Sequence, residues 1–107
     1  MERNFKLINV TTQDFGASKD MELHDVRWEK IKPHYFPLLQ KAGLKKITTI
    51  RVWNKANKFR YLHVFEYSSQ KSFEDCQPIW KQIEPELFKD LLVKMVSDKG
   101  IVVAEDV

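Results

Sequence analysis

The 107-residue sequence contains few of the residues that build disulfide-stapled, metal-clustered or phosphate-cradling proteins. Its single cysteine, Cys76, excludes an intrachain disulfide framework and a thiolate zinc cluster, and it fits a reducing compartment, so we expect a cytoplasmic protein. Its three glycines, Gly16, Gly43 and Gly100, stand too far apart for a phosphate-binding loop. No apolar run approaches the ~20 residues of a membrane span and no secretory signal opens the chain, so we expect no membrane partner.

An excess of charge of one sign is also missing, because 18 Lys and Arg residues offset 15 Asp and Glu residues and leave a net charge of +3. This balance and this length predict one folded domain over residues 1–107. The positive charge is concentrated between residues 41 and 65, which contain no acidic residue. The basic residues there are Lys41, Lys45, Lys46, Arg51, Lys55, Lys58 and Arg60. They suit either an anion- or nucleic-acid-binding patch or a solvated hairpin whose lysines protect strand edges.

The pattern of hydrophobic residues predicts six elements in the order β-α-β-β-α-β. Strands are expected at residues 5–12, 46–53, 60–67 and 101–104. The short turn over residues 54–58 favours an antiparallel hairpin between the second and third strands. This order suggests an α+β fold of ferredoxin-like arrangement, with two helices on one face of a four-stranded antiparallel sheet.

Two segments carry helical spacing of their apolar residues. The first covers residues 23–42, and its Pro33 and Pro37 predict a kink or two short helices rather than one rod. The second begins with a capping pattern at Ser72. It is predicted to continue past residue 95, because apolar residues still recur at every fourth position.

The predicted third strand carries a row of aromatic residues. Because side chains alternate along a strand, its residues divide into an aliphatic set, with Leu62 and Val64, and an aromatic set around His63. We expect the aliphatic set to pack beneath the helices and the aromatic set to occupy the opposite face. That face would hold Arg51, Trp53, Tyr61, His63, Phe65 and Tyr67, together with Leu7 and Asn9 of the first strand.

An aromatic patch of this size must be covered by a partner subunit, a nucleic acid or a ligand. A second subunit and a small-molecule cavity are compatible interpretations, since closing two sheets into a barrel would enclose the patch. In a ligand site, His63 could carry a proton near neutral pH, with Tyr61 or Tyr67 as its hydrogen-bond partner. The predicted substrate-binding residues are Arg51 as an anion anchor, Asn9 to polarise a carbonyl, and Trp53, Phe65 and Leu7 as walls.

The element order and the segment Tyr61-Leu62-His63-Val64-Phe65-Glu66-Tyr67-Ser68-Ser69-Gln70-Lys71-Ser72-Phe73 resemble the dimeric α+β barrel superfamily. Within it, the chain is similar to antibiotic biosynthesis monooxygenase-type and NIPSNAP-type domains. The resemblance implies a homodimer that joins two sheets face to face around a small aromatic or hydrophobic ligand. If the protein is an enzyme, the resemblance implies a cofactor-independent oxygenase, cyclase or isomerase for a small aromatic or polyketide-like compound. The alternative is a non-enzymatic homodimeric binding or stress-associated module.

The sequence departs from this superfamily on the second helix. Oxygenase-like members often carry a histidine near the place of Cys76, and this helix contains none. Haem-degrading members use an Asn that Asn9 could match, but Cys76 and Glu86 stand near the places of their Trp and haem-ligating His. We therefore expect no haem and no other cofactor. His24, His34 and His63 lack the spacing of a metal-binding motif, so no metal site is predicted.

The RNA-recognition motif is the rival interpretation, because it shares this element order and stacks bases on strand aromatics. Its third strand requires a Gly where this chain has Leu62 and a buried aromatic where it has Glu66. Lys6 stands where the first strand of that motif needs a stacking aromatic residue. Nucleic acid is therefore not the partner that we expect.

Overall fold

The computed structural model describes residues 6–107, and its six elements follow the predicted order. The strands are β1 (Leu7–Phe15), β2 (Leu44–Arg51), β3 (Phe59–Tyr67) and β4 (Val93–Ile101), and the helices are α1 (Ser18–Ala42) and α2 (Gln70–Phe88). The strands pair antiparallel in the order β2-β3-β1-β4. The predicted ferredoxin-like fold is thus confirmed. Phe5, the first residue of the predicted opening strand, lies outside the described residues.

β1 is a central strand and fixes which residues of its neighbours lie side by side. Asn9 pairs with Phe65 of β3 and with Lys99 of β4. Thr11 pairs with His63 on one side and Ser97 on the other. Partners in register share a face of the sheet, so the odd-numbered residues of these three strands lie on one face and the even-numbered residues on the other.

The first helix is a single uninterrupted element, although Pro33 and Pro37 lie within it. The prediction of two short helices is therefore wrong. Each proline costs the helix a backbone hydrogen bond, but the segment keeps its helical form because it buries Leu39 completely in the core. The predicted stop at Gly43 is correct: its φ is 115°, and its N–H donates to the Gln40 carbonyl at 3.0 Å.

The second helix begins earlier than predicted, and Ser72, the predicted capping residue, lies within its first turn. Ser69 is the N-cap, and its Oγ accepts the Ser72 backbone N–H at 3.2 Å. The helix then continues through Pro78 and Pro85 to Phe88. Neither helix in the described part of the chain is both long and apolar enough to cross a membrane.

The last strand is longer and earlier than predicted, because β4 occupies residues 93–101 and the predicted strand at 101–104 is mostly irregular. The helical prediction for Leu91 and Met95 is wrong. A spacing of four residues fits both one turn of a helix and two repeats of a strand, so the pattern does not distinguish them. Asp90, with φ 61°, follows the end of α2 and precedes β4.

The hydrophobic core lies between the sheet and the two helices. Its buried members are Leu7, Leu39, Leu44, Tyr67, Cys76, Ile83 and Leu87. Cys76 is fully buried and is thus a small core residue, as its sequence context suggested. Lys45 and Lys46 lie exposed on β2, an edge strand of the sheet, which agrees with the edge-protection interpretation of the basic stretch.

The two faces of the sheet are the reverse of the prediction. Tyr61, His63, Phe65 and Tyr67 lie beneath the helices: the Tyr61 hydroxyl reaches Asp25 of α1, and the Tyr67 hydroxyl is bonded to Trp80 of α2. The aliphatic set lies on the side away from the helices, which we call the open face. Its apolar members are Ile8, Val10, Ile50, Leu62, Val64 and Val96.

Candidate functional site

A cleft of about 450 Å³ lies between α1 and the β2–β3 side of the sheet. Trp28, Phe36 and Ile47 form its apolar walls. A pocket of about 70 Å³ shares Trp28 and Ile47 with the cleft and reaches inward to His24 and His63. We call the two together the α1 cleft. Apolar walls with a few polar groups, at this volume, are typical of small-molecule sites.

Three side chains at the α1 cleft form a continuous hydrogen-bond chain. His24 Nδ1 donates to Asp25 Oδ1 at 3.0 Å, and the Tyr61 hydroxyl donates to Asp25 Oδ2 at 2.6 Å. The carboxylate thereby holds the proton of neutral His24 on Nδ1 and leaves Nε2 as the basic nitrogen. No residue within 6–107 bonds to His24 Nε2, and the ring lines the inner pocket. His24 is therefore placed to take a proton from a bound molecule.

The protonation states suit this arrangement at neutral pH. Burial lowers the pKa of His24, while the hydrogen bond to Asp25 acts in the opposite direction. Burial, followed by the hydrogen bond to Asp25, raises the pKa of Tyr61 to about 12. His24 is thus a neutral base and Tyr61 a protonated donor.

His63 is buried behind this chain, and both of its ring nitrogens are occupied. Nε2 lies 2.7 Å from Gln13 Oε1, which can only accept, and Nδ1 lies 3.0 Å from Thr49 Oγ1. Burial and, next, the neighbouring His24 ring lower the pKa of His63 to about 4. The two imidazole centroids are 5.8 Å apart. His63 is therefore neutral near pH 7, and its lone pair is already bonded to the Thr49 hydroxyl.

A second cavity, of about 220 Å³, lies between α2 and the β1–β4 side of the sheet. We call it the α2 compartment. Phe65 and Trp80 line both this compartment and the inner pocket of the α1 cleft, so they divide the two. Trp80 Nε1 donates to the Tyr67 hydroxyl at 2.9 Å. Burial raises the pKa of Tyr67 to about 12, so this hydroxyl keeps its proton.

The structure divides the predicted site residues between these two cavities. Tyr61, His63 and Phe65 line the α1 cleft. Asn9 and Tyr67, with the other side of Phe65, line the α2 compartment. The predicted residues therefore do not form one cluster around His63.

Three predicted binding residues lie outside both cavities. Leu7 belongs to the core and is 7% exposed. Arg51 donates to the Met21 sulfur at 2.8 Å. Trp53 is 90% exposed beyond the end of β2. Leu7 and Arg51 share a sheet face with His63, as the alternation predicted, but alternation does not determine how far along the sheet a cavity extends.

Sequence reasoning missed the acid–base pair of α1. His24 lies three residues after Met21 and four before Trp28, a spacing that places all three on one helix face. That signal could have assigned His24 to the buried side of α1. Asp25 carries no comparable signal, because it lies one position further round the helix and reaches His24 only through its carboxylate.

The described residues do not form a metal site or the base-stacking surface of an RNA-recognition motif. Among residues 6–107, no group of three His, Cys, Asp or Glu side chains is arranged to hold a metal ion. Base stacking in the manner of an RNA-recognition motif would require Tyr61 and His63 on the open face, and both lie beneath the helices instead.

Solved structures share this fold. A dimeric ferredoxin-like protein from an uncultured marine organism is 28% identical, with a TM-score of 0.84 over 96% of this chain and 100% of that one. A second such protein from an uncultured marine organism is 26% identical, with a TM-score of 0.81 over 95% and 98% of the two chains. SnoaB, a cofactor-independent oxygenase from Streptomyces nogalater, is 14% identical, with a TM-score of 0.59 over 96% of each chain.

These likenesses confirm the predicted resemblance to dimeric ferredoxin-like and antibiotic biosynthesis monooxygenase-type proteins at the level of the fold. No curated protein sequence is significantly similar to this chain. The model of one family, described as Domain of unknown function (DUF6974), matches residues 4–102. Because that match covers nearly the whole chain, the protein belongs to the DUF6974 family.

Proposed function

We propose that the protein is a homodimeric, cofactor-independent enzyme that removes a proton from a small aromatic or polyketide-like compound in the α1 cleft. The observation that carries this proposal is the His24–Asp25 pair: His24 lines an apolar pocket, and its Nε2 bonds to no residue within 6–107. The sequence favoured His63 as the proton carrier. His24 fits that role better, because both nitrogens of His63 are already hydrogen-bonded.

The chemistry of the pair follows from its geometry. His24 Nε2 accepts a proton from an acidic C–H or O–H group of the ligand, and the resulting imidazolium is stabilised by Asp25 through Nδ1–H. The Tyr61 hydroxyl holds the other carboxylate oxygen in place. An oxygenase, a cyclase and an isomerase of this kind share that first step, since each reacts through a carbanion, enolate or phenolate.

The ligand class follows from the walls of the cleft. Trp28 and Phe36 offer flat apolar surfaces, and the indoles of Trp28 and Trp80 are stacked with centroids 6.4 Å apart. A planar ring system can lie against such surfaces with little loss of contact. SnoaB, which shares the fold, is a cofactor-independent oxygenase, and this supports the same reaction class here. A cytoplasmic location stays a prediction, as does the likeness to NIPSNAP-type domains.

Hydrogen–deuterium exchange provides a direct test of proton removal. The probe is α-tetralone, a bicyclic ketone, and NMR in D₂O follows the loss of its α-protons with and without the protein. We expect catalysed exchange, and a fall of about 10²-fold or more in His24→Gln. His34→Gln, which changes an exposed histidine of the same helix, is the matched control and should exchange at the wild-type rate.

Exchange at the wild-type rate in folded His24→Gln would overturn the assignment of His24. A wild-type protein that binds α-tetralone but never exchanges its protons would favour the non-enzymatic binding module instead. Thermal melting of each variant establishes that it is folded.

The homodimer is supported by the open face. Val10 pairs with Val64 and Ile50 pairs with Leu62 on this face, which the helices of the same chain do not cover, and exposed apolar patches mark association sites. Two similar solved proteins are described as dimeric. Joining two open faces would cover both surfaces by a two-fold arrangement.

Sedimentation of two matched variants tests this dimer. Val96 lies on the open face and is 54% exposed, while Val26 lies on α1 and is 64% exposed. Because both side chains already contact water in the single chain, Glu at either position should not disturb its folding. We expect Val96→Glu to weaken the dimer and Val26→Glu to leave it intact. A wild-type mass of one chain at micromolar concentration would exclude the dimer.

A further inference from the structure

The α2 compartment is lined by residues whose hydrogen-bond donors find no acceptor in the described part of the chain. The Thr11 hydroxyl donates its only proton to Asn9 Oδ1 at 3.3 Å. The Ser97 hydroxyl, 2.8 Å from Thr11 Oγ1, must therefore be the donor in that second contact. Asn9 Oδ1 thus accepts one hydrogen bond, and the Asn9 amide N–H groups have no partner among residues 6–107.

Two further donors belong to residues that line the same compartment. The Tyr67 hydroxyl accepts the indole N–H of Trp80, and its own proton has no acceptor within the described residues. Tyr67 is only 1% exposed, so this O–H group is buried at the cavity wall. Lys99 lines the compartment from β4, and its ammonium lies 5.7 Å from the Phe73 ring centroid without forming an ion pair in residues 6–107.

Three donors that bond to no acceptor within residues 6–107 belong to residues lining one cavity, and such a set suits an acceptor that brings negative charge. We propose that Asn9 Nδ2, the Tyr67 hydroxyl and Lys99 Nζ form an anion-binding site that holds the carboxylate of a small aromatic acid in the α2 compartment. An amide, a hydroxyl and an ammonium all donate strongly to a carboxylate oxygen. Phe65 and Trp80 supply apolar walls for the attached ring. A volume of about 220 Å³ exceeds the ~150 Å³ of a cavity that accepts benzene.

The lining of the α2 compartment also includes an acidic side chain, which should oppose the binding of an anion. The proposal therefore predicts substitutions that strengthen binding as well as substitutions that weaken it. Glu84 lines the compartment from the exposed side of α2. Its carboxylate repels an anion, whereas Lys99 attracts it. Removing Glu84 should therefore strengthen binding, and removing Lys99 should weaken it.

Titration calorimetry with benzoate tests the site, with benzamide as the neutral analogue of the same shape. We expect wild-type protein to bind benzoate more tightly than benzamide. Asn9→Asp, which replaces the free amide by a carboxylate, and Tyr67→Phe should each weaken benzoate binding about tenfold or more. Lys99→Met should also weaken it, and Glu84→Gln should strengthen it. Lys94→Met, a change on the open face of the same strand, should leave it unaltered.

Amide NMR shifts show where benzoate binds. Perturbation at Asn9, Ser97 and Lys99 supports the site, and perturbation confined to Thr49 and Tyr61 would place benzoate in the α1 cleft and overturn it. Equal affinities of wild type, Asn9→Asp and Tyr67→Phe would also overturn it, as would no detectable benzoate binding. The inference does not depend on proton removal by His24, because His24→Gln should slow exchange on α-tetralone while leaving benzoate binding intact.

Discussion

The buried imidazole of His63 should make the stability of the fold depend on pH in a defined window. Its pKa is about 4 in the native protein, against 6.5 for an unperturbed histidine. Native His63 therefore resists protonation at pH values where the unfolded chain already takes up the proton. Unfolding binds a proton between those two values, so the free energy of unfolding rises with pH across this window and levels off above it.

The size of the effect follows from the two pKa values. Each tenfold difference in proton affinity is worth about 1.4 kcal/mol. The difference between about 4 and 6.5 therefore corresponds to about 3 kcal/mol, lost as the pH falls from 6.5 to 4. His24 contributes in the same direction, since burial lowers its pKa as well.

Urea unfolding at a series of pH values measures this dependence. In His63→Gln, the replacement can still bond to Gln13 and Thr49 but cannot titrate, so the curve of stability against pH should become flatter by about 3 kcal/mol over the window. His34→Gln, on the exposed part of α1, controls for the loss of a histidine. Because the readout is a slope, a uniform loss of stability in His63→Gln does not affect the conclusion.

The same slope in His63→Gln and in the wild type would refute this reasoning. A direct check is the NMR titration of the His63 ring protons. A midpoint near pH 6.5 would show that burial does not disfavour the charged ring, and the predicted pH dependence would then be wrong.

Further stability predictions concern the helix ends and the core. Gly43→Ala should lose about 2 kcal/mol or more, because φ is 115° and a Cβ there would overlap the Ser72 side chain, whereas Gly100→Ala meets no atom within 4 Å and should change little. Leu39→Ala should cost about 3–5 kcal/mol, since the side chain is fully buried. Arg27→Met should cost about 1–3 kcal/mol, because the guanidinium donates to two carbonyls at the end of α2, at 3.2 and 2.6 Å. Chemical denaturation measures each change, and stability equal to the wild type in Gly43→Ala or Leu39→Ala would contradict the packing described.

The element order could be predicted because each segment repeats its apolar residues with the period of its own structure. The helix stop at Gly43 could also be predicted from local chemistry, whereas the N-cap of α2 is Ser69, three residues before the predicted Ser72. The boundary between α2 and β4 could not be predicted from spacing alone. It depends on the pairing of β4 with β1, a contact between distant parts of the chain.

The face of the sheet that carries the site could not be predicted for a related reason. The expectation that aliphatic residues lie under the helices assumes that one face is buried and the other exposed. Here the open face carries aliphatic residues as well as charged ones. The helix-covered face also holds Thr11, Gln13 and His63, whose polar atoms are bonded within the protein. From the sequence, polar residues in a strand are expected to face solvent. The structure shows that these three are buried because each has a hydrogen-bond partner within the protein.

The central position of β1 has a consequence for synthesis of the chain. Thr11 and Ser97, which meet at the α2 compartment, are separated by 86 residues. At ribosomal rates of ~5–20 residues per second, several seconds pass between the synthesis of β1 and the synthesis of β3, the first of its two partner strands. During that interval its apolar side chains and both of its backbone edges are unpaired. Nascent chains that have not yet reached β4 should therefore depend on chaperones more than the completed protein does.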